Sequence, residues 1–87
     1  RLANAEQIIK DCRQILMLCS HNEGDNIRDN LNQALSISMS LPEKPSELVH
    51  VEEMLRSSLI QVEEVAREIE ISVDHFSVNP ERVARSE

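Results

Sequence analysis

The sequence predicts an all-α protein of long antiparallel helices, in a coiled-coil-like hairpin or a small helical bundle. Three observations lead there. Apolar residues recur at alternating three- and four-residue intervals along most of the chain, the period of one helix face. One glycine and three prolines in 87 residues are too few for the many turns of an all-β protein. The segment 46–76 keeps the helical period throughout. At 1.5 Å per residue it makes a rod of about 46 Å, which must lie along other helices rather than inside a small globule.

Helices are expected at about 2–20, 26–41 and 46–76, with the start of a further helix from 80, cut short. The first places Ala5, Ile8, Ile9, Cys12, Ile15, Leu16 and Cys19 on one broad stripe. His21-Asn22-Glu23-Gly24-Asp25 ends it. Gly24 suits the left-handed conformation preferred at helix ends, and Asp25 is placed to accept from the first free N–H groups of the next helix. The second stripe is Ile27, Leu31, Ala34, Leu35, Ser38 and Leu41. Its "LSISMSL" run also alternates with period two, but a lone strand would leave its backbone groups unpaired. Pro42 ends this helix, because the residue before proline is pushed out of the helical region. Pro42-Glu43-Lys44-Pro45 reads as a short, stiff connector. Ser46 is read as the N-cap of the third helix, with Glu47 acidic in its first turn. Glu52 with Arg56 and Glu63 with Arg67 are spaced to pair on its outer face. Asn79 and Pro80 open the last helix, with Val78 and Val83 at the positions of a hydrophobic staple.

The third stripe carries the packing prediction: Leu48, Val51, Leu55, Leu59, Val62, Ala66, Ile69, Val73 and Phe76. The first two helices either form a small bundle with it or lie end to end along it. In both arrangements apolar surface is left over on the third helix. It needs a partner, either a second copy or further helices of a longer protein. Met17, Met39 and Met54 are read as core or near-core fillers. A chain that starts on Arg1 and stops shortly into a well-specified helix reads as a piece of something longer.

Composition removes several function classes. Nine Lys+Arg face sixteen Asp+Glu, for a net charge of -7. Phosphate binding depends on cationic side chains displacing counterions, so the chain is a poor nucleic-acid binder by itself. One Phe, with no Trp or Tyr, leaves no rings for base stacking. No apolar run approaches the ~20 residues that span a bilayer, and no membrane partner is expected. The two cysteines, Cys12 and Cys19, lie about 10 Å apart along one helix, too far to bridge each other. Free thiols suit a reducing cytoplasm.

Candidate chemistry is sparse. Cys12, Cys19 and His21 are metal-ligand types, but zinc needs about four converging ligands, and His50 and His75 are remote. The acidic loop 21–26 lacks the alternating ligand spacing and closing Glu of a calcium loop. Glu63, Glu64, Glu68 and Glu70 lie mostly off the apolar stripe, where carboxylates are solvated rather than tuned for acid–base work. His50 invites a phosphotransfer reading, yet no Lys or Gly stands beside it to accommodate a phosphoryl group. His75 reads as a surface histidine near a helix C-terminus. No catalytic, cofactor or metal residue is assigned, and an enzyme confined to these residues is the least favoured class.

Three stretches carry a resemblance: Arg1-Leu2-Ala3-Asn4-Ala5-Glu6-Gln7 leading into an apolar helix, Arg56-Ser57-Ser58-Leu59-Ile60-Gln61-Val62-Glu63-Glu64-Val65-Ala66-Arg67-Glu68-Ile69, and Asn79-Pro80-Glu81-Arg82-Val83. In this order and spacing the chain resembles the helical arm region of the RecN family of bacterial DNA repair proteins, over nearly all of its length. Asn79 stands where the family usually has Asp, Ser72 where a Tyr is common, and the region 36–47 matches poorly. The resemblance implies a relative of the structural-maintenance-of-chromosomes (SMC) proteins: an ABC-type ATPase head split between the chain ends and joined by a helical arm, acting in double-strand break repair and recombination. On that reading residues 1–87 are one arm segment without ATP-binding residues. ATP and magnesium belong to the parent protein's head, DNA is reached only through the parent, and the location is the bacterial cytoplasm and nucleoid. The rival reading is a free-standing helical dimerisation, adaptor or sensor module. A G-x-x-x-x-G-K-[ST] segment upstream in the gene would decide for the arm. From the charge balance, gel-shift of the isolated chain with duplex DNA at physiological salt is expected to show no complex; micromolar binding would contradict the electrostatic reading.

Overall fold

The computed structural model describes residues 2–78. Among them every regular element is helical: α1 (Leu2–Leu16), a π-helical turn (Met17–His21), α2 (Ile27–Met39) and α3 (Ser46–Val78). α1 and α2 each pack on α3 and make no packing contact with each other. Of the two arrangements left open by the sequence, the chain adopts the end-to-end one. The result is an elongated hairpin with principal extents of 57 × 23 × 15 Å. α3 is a continuous rail of 33 residues; the other rail is α1 and α2 in series, both antiparallel to it.

The interrupted rail has a register slip. His21 stands opposite Glu70, with Nε2 3.8 Å from the carboxylate, so the facing numbers add to 91. Met39 stands opposite Arg56, whose Nη2 is 3.3 Å from the sulfur, and these add to 95. The interrupted rail therefore holds about four more residues than α3 spends over the same length, roughly one helical turn. The junction absorbs the excess. Expected as plain helix to Ser20, the chain instead leaves α-geometry after Leu16, and the Asn22 N–H reaches five residues back to the Met17 carbonyl at 2.9 Å. This wider turn brings Cys19 and Ser20 side by side into the core. Gly24 then takes φ 76°. A side chain there would meet no neighbour, so glycine is needed for its backbone conformation alone.

The junction also corrects the capping assignment. Asn26, not Asp25, caps α2. Its Oδ1 accepts from the Asp29 N–H at 2.8 Å, while its Nδ2 donates to the Asp29 carboxylate at 2.8 Å and to the Asn22 carbonyl at 2.5 Å. The cap is thus reciprocal through side chains, with the Asn26 amide in place of the backbone N–H of a capping box, and it ties the loop to the helix start. At the other end α2 stops at Met39, so Leu41 lies outside the helix and is exposed. Ser46 does not cap α3. The Pro45 carbonyl accepts from the Leu48 and Val49 N–H groups, which places Ser46 in the first turn, and its hydroxyl donates to Glu47 at 3.2 Å. Proline fits the position before the turn because no donor is required of it there. Asn79, Pro80, Val83 and the helix expected from 80 lie outside the described residues.

The core is a thin seam: Ala5, Cys19, Leu35, Ala66 and Val73, flanked by the buried polar residues Ser20 and Asn26. Among the described residues no large side chain is fully enclosed, as expected when only two layers meet and neither surrounds the other. Several stripe positions are consequently open. Ile15, Ile27, Met17, Met39 and Met54, expected in the core, are all exposed. Leu16 is half-buried while Ile15 is open, as expected when a two-helix seam uses a narrower band than a bundle does. Leu59 is half-buried on that band. Leu59→Asp should lower unfolding stability by about 2–3 kcal/mol in urea titrations, while Ile60→Asp next to it, on the open side, should change it by less than about 0.5 kcal/mol.

Candidate functional site

Among the described residues the longest candidate surface is the apolar band of α3, and the interface residues predicted from the sequence lie along it. Ala66 and Val73 are buried; Leu48, Leu55, Leu59, Val62, Ile69 and Phe76 are half-buried. Val51, expected among them, is 38% exposed. The reason is the length of α2. Its last residue, Met39, is level with Arg56, so the first two turns of α3 face only the connector 40–45. The rest of α3 carries apolar residues that stay exposed among the described residues: Val49, Met54, Ile60, Val65 and Ile71. The sequence reading expected apolar surface left over on the third helix without naming these residues, which fall outside the seam band.

Charged residues brace the hairpin at its two weak places. At the connector, Lys44 Nζ is paired with Glu52 Oε1, and Arg56 Nη2 lies 3.5 Å from Glu52 Oε2. The hydrogen bond from Lys44, with the positive charges of Lys44 and Arg56, holds the Glu52 carboxyl below its ordinary range. The spacing had suggested Glu52 with Arg56 but gave no sign of Lys44, which reaches across the turn. At the junction, the hydrogen bond from Asn26 and then the Arg28 guanidinium hold the Asp29 carboxyl low as well. Arg67 pairs with Glu64 at 3.1 Å and not with Glu63 as the spacing had suggested. The three-residue step brings the guanidinium to the nearer carboxylate.

Beside the junction lies a cleft of about 400 Å³, lined by Ser20, His21 and Arg28 on one rail and by Arg67, Glu70 and Asp74 among others on α3. Ser20 Oγ lies 2.8 Å from His21 Nδ1, which leaves Nε2 directed to Glu70. Serine, imidazole and carboxylate in series suggest acyl transfer at first sight. The serine, however, is buried within a helical turn, where backbone N–H groups serve the turn itself and not an oxyanion. The contact acts as a clip between the π-turn and α3. Among the described residues no group of three or more potential metal ligands converges. Cys12 and Cys19 are free thiols, half-buried and buried. His50 is exposed beside Glu53 at 3.9 Å, and His75 stacks edge-on with Phe76 at 6.3 Å in the last turn of α3. No described helix is long and apolar enough to cross a membrane.

Comparison with known proteins adds one finding. No family description matches the chain, and no solved structure matches it. Among curated proteins it is similar to the DNA repair protein RecN of Vibrio cholerae serotype O1 (strain ATCC 39315 / El Tor Inaba N16961), with 31% identity over 84 residues. The match takes in 97% of this chain and 15% of that protein. The chain thus spans about 15% of the length of the curated relative it matches, and the similarity suggests a segment of a DNA repair protein.

The two lowered carboxyls set a pH dependence. Each binds its proton less readily folded than unfolded, so its stabilising effect is complete above the ordinary carboxylate range. The effect is lost as pH falls through the lowered folded values. Urea midpoints measured at about pH 7 and about pH 3 should therefore fall on acidification. A variant carrying Asp29→Asn and Glu52→Gln should show a smaller fall, because the remaining carboxylates are common to both proteins.

Proposed function

We propose that this chain is a structural arm segment of a RecN-like, SMC-type ATPase that acts in DNA double-strand break repair and recombination. It holds the two ATPase half-heads at a set separation and offers a surface for self-association. The observation that carries the reading is similarity to RecN along almost the whole of an antiparallel helical hairpin. A hairpin suits the role because an apolar seam holds its two rails side by side. The uncovered apolar residues of α3 suit a segment that meets further helices, either of the parent protein or of a second copy.

ATP and magnesium are assigned to the parent's head and not to these residues, which do not fit a nucleotide. The single glycine, Gly24, lies in a helix–helix turn between Glu23 and Asp25, and neighbouring carboxylates repel phosphate. DNA is likewise reached through the parent, in keeping with the -7 charge of this segment.

Two measurements test the reading. The gene should continue upstream into a strand followed by G-x-x-x-x-G-K-[ST]; a free-standing adaptor gene would lack it. Cells whose gene carries Leu59→Asp should lose survival after ionising radiation to about the level of a gene deletion, while Ser57→Ala, on an exposed position, should leave survival unchanged. Full resistance with Leu59→Asp would remove the arm from the repair function.

A further inference from the structure

The C-terminal end of α2 sets a methionine beside a positive charge. Met39, the last residue of α2, is 53% exposed, and Arg56 Nη2 on α3 donates to its sulfur at 3.3 Å. Met17 and Met54 are exposed to a similar degree, but among the described residues Met39 is the one methionine whose sulfur receives a hydrogen bond. A thioether is a weak acceptor, so this contact uses little of what a guanidinium offers to oxygen. Arg56 is nonetheless kept close by. Its Nη2 lies 3.5 Å from Glu52 Oε2, and Glu52 is also paired with Lys44 of the connector. Glu52 therefore keeps a cationic partner when Arg56 turns toward α2. The end of α2 favours a cation in its own right, because the last carbonyls of a helix carry partial negative charge.

We propose that Met39 is an oxidation site at which hydrogen peroxide tightens the hairpin rather than loosening it. The sulfur attacks one peroxide oxygen. An S–O bond forms as the O–O bond breaks, the sulfur gives up two electrons, and the displaced oxygen leaves as water after taking the proton of the transferred hydroxyl. Methionine oxidation commonly weakens a protein, because a polar group arrives where an apolar one was packed. Met39 stands largely in solvent, so little packing is lost there. The oxygen that arrives is a strong acceptor, next to a donor already directed at the same side chain. A weak N–H···S contact becomes a charge-assisted N–H···O bond between the last residue of α2 and α3. The exposed guanidinium has room to draw back by the length the new oxygen needs. The gain falls where the hairpin has least to hold it, since beyond Met39 the start of α3 faces only the connector 40–45. Sulfoxide reductases reverse the step, so the site can be set and reset. The inference is independent of the arm reading and stands on the Met39–Arg56 geometry.

Peroxide treatment of a chain carrying Met17→Leu and Met54→Leu isolates the effect, since both positions are exposed and the exchange conserves volume. Dithiothreitol, added once the peroxide is removed, returns a sulfenic acid or disulfide at Cys12 or Cys19 to the thiol. Peptide mass spectrometry then locates the added oxygen. Oxidation of Met39 should raise the urea midpoint by about 0.3–0.5 M, and methionine sulfoxide reductase should return it to the starting value. With Arg56→Ala in the same background, oxidation should leave the midpoint unchanged or lower it. Met39→Gln, which places an amide oxygen near the position of the sulfoxide oxygen, should raise the midpoint without peroxide and remove the response to it. A midpoint that falls or stays still on oxidation while Arg56 is present overturns the proposal. So does a rise that persists undiminished after Arg56→Ala. In the unsubstituted chain, addition of oxygen to Met17 and Met54 but not to Met39 overturns it as well.

Discussion

One continuous helix with one face that must be kept from water governs this structure. α3 cannot fold back on itself, so among the described residues its apolar band is covered by what the preceding segments supply. They supply two short helices in series, each too brief to be stable alone in water and each ordered by the same rail. Because only two layers meet, the residues they enclose are small or half-covered, and apolar surface remains on both rails. The hairpin is held by its length more than by the depth of its core.

The polar contacts follow from that thinness. They gather where the interrupted rail changes direction or ends: the Asn26–Asp29 exchange and the His21–Glu70 clip at the junction, and the Lys44–Glu52–Arg56 group at the connector. Along the straight parts the seam suffices. Among the described residues no buried polar side-chain atom lacks a hydrogen-bond partner, so the junction, although irregular, is fully satisfied. An irregular turn enclosed on one side can persist only on that condition.

Much of this is legible in the sequence and some is not, for definite reasons. The 3.6-residue period shows three helical segments and the seam band around Ala66 and Val73, because burial along one rail imposes that period directly. The stop at Pro42 and the turn at Gly24 follow from backbone chemistry that acts within one or two residues. The π-turn is not visible, because Met17 to His21 contain nothing that disfavours an ordinary helix, and its packing on α3 is set by residues far along the chain. Asp25 and Asn26 are equally good caps by chemistry, and only the contact of Asn26 with Asn22 selects between them. Val51 satisfies the period yet stays open, since a stripe in the sequence cannot say how far its cover extends.

The spare turn in the interrupted rail has an evolutionary consequence. A residue gained or lost between Asn22 and Asp25 disturbs one tight turn and its hydrogen bonds, but leaves the period of α1 and of α2 within each helix unchanged. A residue gained or lost within α3 rotates everything after it by about 100° and carries the band away from its cover. Drift in length is thus confined to one rail, while the other is held to its count like the graduated edge of a ruler.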